Sequence, residues 1–183
     1  MTETHFRIRT ATTFDAEKIA SVNVTAWHET YTDILPPATL AGVTLAARTE
    51  RWKNILDSFD DVNRHVTFLA ETKNVAIGYV SIGNQRDKFL MDQKFSAEVT
   101  SIYVVAKAHR KGLGRALLRK ASIHIHNSGH RAMSLWVLDT NHNARRFYEA
   151  LGGQLVSERE DIRPEGTLNE VAYGWSDISP LLE

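Results

Sequence analysis

The fold of this 183-residue chain is decided by the stretch Ala97-Glu-Val-Thr-Ser-Ile-Tyr-Val-Val-Ala-Lys-Ala-His-Arg-Lys-Gly-Leu-Gly-Arg-Ala-Leu-Leu118. Its first half alternates and is rich in β-branched residues, which favours a pleated strand. Its middle is basic and carries two glycines. The residues after Gly112 are apolar at helical spacing, at Leu113, Ala116, Leu117 and Ala121. The stretch therefore predicts a strand, a basic glycine loop and a helix.

This order of elements creates a site for an anion. The first N–H groups of a helix have no partner within the helix, and the helix dipole places partial positive charge at the same end. The glycines carry no Cβ, so a ligand can approach the backbone closely. Full positive charges surround these amides, at Arg110, Lys111 and Arg115. We therefore expect the loop to bind a phosphate or a pyrophosphate.

The glycine pattern narrows the class of phosphate ligand. The loop lacks the Walker A spacing, and Leu117 stands where the third glycine of a dinucleotide motif belongs. The segment His109-Arg-Lys-Gly-Leu-Gly114 instead resembles the acetyl-CoA loop of the GNAT N-acetyltransferase superfamily, Gln/Arg-x-x-Gly-x-Gly/Ala. His109 departs from the family's Gln or Arg, a change that we expect to be tolerated because pyrophosphate capture rests mostly on backbone amides. The resemblance implies that acetyl-CoA is bound by His109, Arg110, Lys111, Gly112, Leu113, Gly114 and Arg115.

A second element carries the same resemblance. The stretch Leu135-Trp-Val-Leu-Asp-Thr-Asn-His-Asn-Ala-Arg-Arg-Phe-Tyr-Glu-Ala-Leu-Gly152 reads as a strand followed by the family's Asn-x-x-Ala-x-x-Phe-Tyr and a Leu-Gly ending. Gly153 departs from the family's usual aromatic residue. Both elements occur in the family's order. The resemblance implies an α/β fold with a mixed, mostly antiparallel central sheet, flanked by helices and containing a splayed pair of central parallel strands.

The rest of the chain fits this fold, and a mixed sheet with helices on both faces also follows from the pattern alone. A first helix is expected to begin at Thr13 or Asp15 and to end near Pro36-Pro37. A second helix is expected from near Ala38 or Thr39, with an apolar face formed by Leu45, Trp52 and Leu56. The remaining expected elements are strands over 6–9, 66–70, 75–82, 133–138, 154–160 and 170–175, a hairpin at 73–74, a polar connection over 84–94 and a helix over 141–151.

Composition limits the function classes. The absence of cysteine excludes disulfides, thiolate metal sites and cysteine nucleophiles. Lys+Arg and Asp+Glu are 22 each, so no net field draws nucleic acid or an anionic membrane. His124 and His126 are two apart on a predicted helix and point in different directions, which does not favour a metal site. We expect a single cytoplasmic domain over residues 1–183, without a signal peptide, metal, nucleic-acid partner or membrane partner.

The resemblance implies transfer of an acetyl group from acetyl-CoA to a primary amine by direct attack in a ternary complex. Tyr148 matches the family's tyrosine that protonates the CoA sulfur, although its spacing alone also fits a core tyrosine. A free amine has a pKa near 10, so a base or a water relay is useful. Glu98, expected to share a strand face with Thr100, Ile102 and Val104, is the first candidate base. Water, His28 and Glu29 remain alternatives.

Other residues are assigned to binding by the resemblance. Ile102 and Val104 would offer backbone groups to the pantetheine arm, and Asn141 would contact the CoA arm besides capping its helix. An aromatic helix end, formed by Trp27, His28 and Tyr31, would wall the acceptor pocket, although a packed helix corner fits equally. The acceptor classes are a small-molecule amine, a peptide N-terminus or a lysine, and a homodimer is common in such families. A non-catalytic acyl-CoA-binding or regulatory module on this fold is the alternative.

Overall fold

Seven strands form one sheet in the computed structural model, which describes residues 6–35, 37–57, 65–163 and 166–183. The strand order is β1-β2-β3-β4-β5-β7-β6. Neighbouring strands run antiparallel except β4 and β5, which are parallel. The strands are β1 (Arg7–Thr10), β2 (Val66–Thr72), β3 (Val75–Asn84), β4 (Ala97–Val104), β5 (Met133–Leu138), β6 (Gln154–Arg163) and β7 (Gly166–Trp175). The predicted fold class is confirmed.

The α-helices of the described residues are α1 (Ala16–Tyr31), α2 (Pro37–Ala41), α3 (Leu45–Asp57), α4 (Lys88–Asp92), α5 (Leu113–Asn127) and α6 (His142–Ala150). The first helix ends before the predicted proline stop, of which Pro36 lies outside the described residues. The predicted polar connection contains α4, which Asp87 caps by accepting from the Leu90 N–H at 3.2 Å. A helix of five residues is too short for hydrophobic periodicity to reveal it. None of the described helices combines the length and the apolar character that crossing a membrane needs.

Helices cover both faces of the sheet. On one face, which we call the α1 face, the Trp52 ring of α3 packs edge-on against Tyr79 of β3 at 5.1 Å. On the other, the α5 face, a Cβ added to Gly78 of β3 would lie 3.2 Å from Leu117 of α5. The predicted apolar side of α3 is correct for Trp52 and wrong for Leu45, which is 43% exposed. Leu45 opens α3, whose first three residues are all exposed.

A β-bulge changes the alternation of the central strand. Ser101 of β4 pairs with Ser81 of β3, whereas Val99 pairs with the next residue, Ile82, so Thr100 is the extra residue. Because directly paired residues share a face, Glu98 lies on the α1 face with Ser101 and Tyr103. The expectation that Glu98 shares a face with Ile102 and Val104 is therefore wrong. The sequence does not reveal this bulge, because apolar and polar residues alternate both before and after Thr100.

The parallel pair diverges almost from its start. The described ladder between β4 and β5 consists of two register pairs, Ala97 with Met133 and Glu98 with Ser134. β5 then pairs with β7 along its whole length, and β4 pairs with β3. The facing edges of β4 and β5 are therefore open from Thr100 to Val104. This opening is the splay that the resemblance implies, and we call it the cleft.

Candidate active site

The backbone of β4 aims hydrogen-bonding groups into the cleft. The N–H of Val105 donates to the Ile77 carbonyl at 3.1 Å, so Val105 faces β3. Since successive residues of a ladder direct their backbone groups to opposite edges, those of Val104 and Ile102 point toward β5. The Val104 carbonyl accepts from His109 Nε2 at 2.7 Å. His109 therefore braces the end of the strand, a role that its position in the loop did not predict.

The basic glycine loop presents unpaired amides at the end of the cleft. Arg110 and Gly112 adopt positive φ angles of 56° and 77°, and Gly112 caps α5. The N–H groups of residues 110–112 donate to no described residue. A Cβ added to Gly112 would meet nothing within 4 Å, so space in front of these amides is open. The side chains of Arg110, Lys111 and Arg115 are exposed around it. The loop thus has the features of an anion site.

Helices α5 and α6 meet closely beside this loop. A Cβ added to Gly114 would lie 3.2 Å from the Phe147 ring of α6, so glycine permits the approach. Asn141 caps α6 as predicted, its Oδ1 accepting from the Ala144 N–H at 3.2 Å. The two helix N-termini therefore stand together on the α5 face, one on each side of the cleft.

Tyr148 is placed as a buried, protonated phenol. Its ring lies 5.8 Å from that of Tyr173 and 6.2 Å from that of Trp175. Burial raises the pKa of its hydroxyl well above the ordinary value, and the nearby Tyr31 raises it further. No hydrogen bond joins this hydroxyl to a described residue. A tyrosine with a free O–H that stays protonated at neutral pH is suited to donate a proton.

The end of α1 reaches the cleft from the opposite face. Trp27 Nε1 donates to the Tyr103 hydroxyl of β4 at 2.8 Å, and the Tyr31 ring packs against Trp27 at 4.8 Å. The Tyr31 hydroxyl accepts from Asn141 Nδ2 at 3.4 Å, which joins α1 to the cap of α6. Trp27 and Tyr31 are therefore brought together at the site, whereas His28 is exposed. Tyr103 was missed, because β-strand alternation offers no sign of its partners.

Glu98 is held rather than free. Arg86 donates to both of its carboxylate oxygens at 2.8 Å, and Glu98 is only 6% exposed. The Nε2 of His65 is 2.9 Å from Ser81 Oγ, on the same face of the sheet as Glu98. Burial lowers the pKa of His65, and the charge of Arg86 lowers it further, so the imidazole is neutral at pH 7. Glu29 instead accepts from the Ala106 N–H at 2.7 Å, beyond the end of β4. Arg86 and His65 carried no signal in the sequence.

Comparison with known proteins agrees with this architecture. Residues 25–153 match the model of the acetyltransferase (GNAT) family. The chain is 29% identical over 174 residues to an uncharacterized N-acetyltransferase of Bacillus subtilis, YuaI, covering 95% of each chain. The fold is similar to that of PaiA N-acetyltransferase from Thermoplasma acidophilum in complex with coenzyme A, with a TM-score of 0.71, 19% identity and coverage of 91% and 98%. It is also similar to yncA from Salmonella typhimurium with acetyl-CoA, with a TM-score of 0.68, 20% identity and 93% coverage of both chains.

Proposed function

This chain belongs to the acetyltransferase (GNAT) family, and we propose that it transfers an acetyl group from acetyl-CoA to a primary amine by direct attack in a ternary complex. The observation that carries the proposal is the basic glycine loop, whose free amides stand at the end of an open cleft between parallel strands. The solved relatives in complex with coenzyme A and acetyl-CoA support the choice of cosubstrate. A phosphate at this loop directs the rest of a bound CoA along β4.

The basic glycine loop and strand β4 bind different parts of acetyl-CoA. The loop amides and the side chains of Arg110, Lys111 and Arg115 hold the pyrophosphate. The backbone groups of Ile102 and Val104 bind the pantetheine arm as a neighbouring strand would, and Asn141 contacts the arm from the cap of α6. His109 limits one of these contacts, because its imidazole already occupies one lone pair of the Val104 carbonyl.

The amine arrives as an ammonium ion and must lose a proton before it attacks. Glu98 receives that proton through water, since Arg86 occupies two of the four lone-pair positions of the carboxylate and leaves two. Its place on the α1 face supports this role, because Trp27 and Tyr31 wall the cleft from the same face. Glu29 is a poorer candidate because of its place: it accepts from the Ala106 N–H, beyond the end of β4.

The attack itself needs a donor for the developing oxyanion and an acid for the departing sulfur. The Ile102 N–H, aimed into the cleft, supplies the first. Tyr148 supplies the second, as a buried phenol whose proton no described residue accepts. The thioester is already activated, so the chemistry requires no covalent enzyme intermediate. The acceptor is a small-molecule amine or a peptide amino group that reaches the cleft beside the aromatic end of α1.

Calorimetric titration with acetyl-CoA tests the proposal. The wild-type protein is expected to bind, and Gly112→Glu is expected to abolish binding because it places negative charge in front of the loop amides. Gly112→Ala is the matched control, since it imposes the same strain at positive φ, about 1–2 kcal/mol, without the charge. The control should retain binding. A well-folded wild-type protein that binds no acetyl-CoA would contradict the proposed function.

A further inference from the structure

A cavity of about 360 Å³ lies where the β2–β3 hairpin meets the turn that follows β4. Three lysines contribute to its lining, and so do three apolar side chains: Lys73, Lys107, Lys111, Val75, Ile77 and Ala108. None of the described lining residues is acidic. We call this space the lysine cavity. Positive charges around one cavity repel one another, so the arrangement favours occupation by an anion.

The backbone brings each lysine to the lysine cavity in a different way. Lys73 lies in the hairpin turn with Asn74, where the two residues adopt positive φ angles of 47° and 64°. Lys107 lies in the single turn of 3₁₀ helix that follows β4. Lys111 belongs to the basic glycine loop, and its Nζ donates to the Lys107 carbonyl at 2.8 Å. This hydrogen bond holds one ammonium group beside the cavity, although the side chain is long enough to extend into water.

The charges of the three lysines exceed those of the acids at this end of the sheet. The sequence has no acidic residue over 99–138. Glu71 is ion-paired with Lys18 at 2.6 Å, and Glu29 accepts from the Ala106 N–H at 2.7 Å. A phosphomonoester, with a charge of about −1.5 to −2 at pH 7, matches the remaining excess better than a carboxylate does. The apolar part of the lining suits the organic group that carries the phosphate.

We propose that the lysine cavity binds a phosphomonoester, and that the 3′-phosphate of acetyl-CoA is its first source. Lys111 links the two sites, because its N–H is one of the unpaired loop amides and its side chain lines the cavity. In CoA the 3′-phosphate is carried by the ribose whose 5′ oxygen is bonded to the pyrophosphate, so one sugar separates the two groups. This source rests on the proposed function. A free organic phosphomonoester is the second source of the same chemistry and does not.

Calorimetric titration with acetyl-CoA and with 3′-dephospho-acetyl-CoA tests the first source. The wild-type protein is expected to bind the dephospho form about 10-fold more weakly, because it lacks the charge-assisted hydrogen bonds of the monoester. The variant Lys73→Gln/Lys107→Gln should lose most of this ratio, since only Lys111 remains. Lys88→Gln/Lys94→Gln is the matched control. It removes the same charge at α4, beyond the opposite end of β3, and should keep the wild-type ratio.

Titration of the acetyl-CoA-saturated protein with phenyl phosphate tests the second source. Phenyl phosphate should not bind if the 3′-phosphate fills the lysine cavity. If the cavity takes a free phosphomonoester, phenyl phosphate should bind, and the two forms of acetyl-CoA should have equal Kd values. Whichever signal is seen should disappear in Lys73→Gln/Lys107→Gln and persist in the control variant.

Two results overturn the proposal. One is equal affinity for the two forms of acetyl-CoA together with no binding of phenyl phosphate. The other is a signal that survives in Lys73→Gln/Lys107→Gln or is lost equally in the control variant. A wild-type protein that binds no acetyl-CoA contradicts the proposed function instead. In that case the binding of phenyl phosphate to the unliganded protein, and its dependence on Lys73 and Lys107, decides the role of the lysine cavity.

Discussion

Arg86 and Glu98 form a bidentate ion pair on the α1 face. The Nε and Nη2 of the arginine each donate at 2.8 Å to a different carboxylate oxygen. The side chain of Arg86 is 71% exposed, whereas that of Glu98 is 8% exposed. The arginine therefore reaches in from the surface and fixes the orientation of a buried carboxylate. That carboxylate lies where β4 and β5 begin to separate.

Glu98→Gln should lower kcat/KM by about 10²-fold at neutral pH, because the amide cannot receive the proton of the ammonium ion. The loss should shrink as the pH approaches the pKa of the amine, where the nucleophile no longer needs a base. The pH profile of kcat/KM measures this. Arg86→Met is the control, since it removes the ion pair and keeps the carboxylate. A loss in Glu98→Gln that does not depend on pH would argue against the base.

Tyr148→Phe should lower kcat by about 10²-fold or more with little change in KM for acetyl-CoA, because the acid acts on the leaving sulfur. The free energy of unfolding should not fall, since the hydroxyl has no hydrogen bond to a described residue to lose. Steady-state kinetics and urea unfolding of the same preparation separate the two effects. Unchanged turnover on an accepted amine would remove Tyr148 from the role of acid.

Gly114→Val should destabilise the fold by about 1–3 kcal/mol, because the new side chain meets the Phe147 ring, already 3.2 Å from a bare Cβ. The helices α5 and α6 must then move apart, so the affinity for acetyl-CoA should also fall. Calorimetry and thermal unfolding measure both changes. Phe147→Leu in the same chain should restore part of each. Equal losses with and without the second change would place the strain elsewhere.

Asp15 makes stability depend on acid pH. Arg9 donates to both of its oxygens at 2.7 Å and holds the pKa of the carboxyl at about 2, below its ordinary value of 3.8. Because the pKa of this carboxyl is lower in the folded protein than in the unfolded protein, its ionised form stabilises the fold at pH values above about 4. About 2 kcal/mol of this stability should be lost as the pH falls from about 4 to about 2. Urea unfolding across this range should show a shallower slope for Asp15→Asn. An unaltered slope would assign the acid sensitivity to other carboxylates.

Local rules account for the parts of this site that were predicted. The loop from His109 to Arg115 and the cap at Asn141 follow from residue types at fixed spacing, and the structure has both. The bulge at Thr100 was not predictable, because a shift in register depends on how β4 meets β3. For the same reason, the sequence placed Glu98 on the wrong face and gave no sign of Arg86. Pairs distant along the chain, such as Trp27 with Tyr103, arise only from packing.

The two-pair ladder between β4 and β5 has a mechanical consequence. The seven strands form two sub-sheets, one of four strands and one of three, which in the described sheet are joined only by the register pairs at Ala97 and Glu98. Gln85, which donates to Ser134 Oγ at 2.6 Å, adds a side-chain hydrogen bond next to these register pairs. Because the two sub-sheets share only this short ladder, the angle between them can change while each sub-sheet keeps its own strand pairing. The width of the opening can therefore follow its contents without breaking a strand pair.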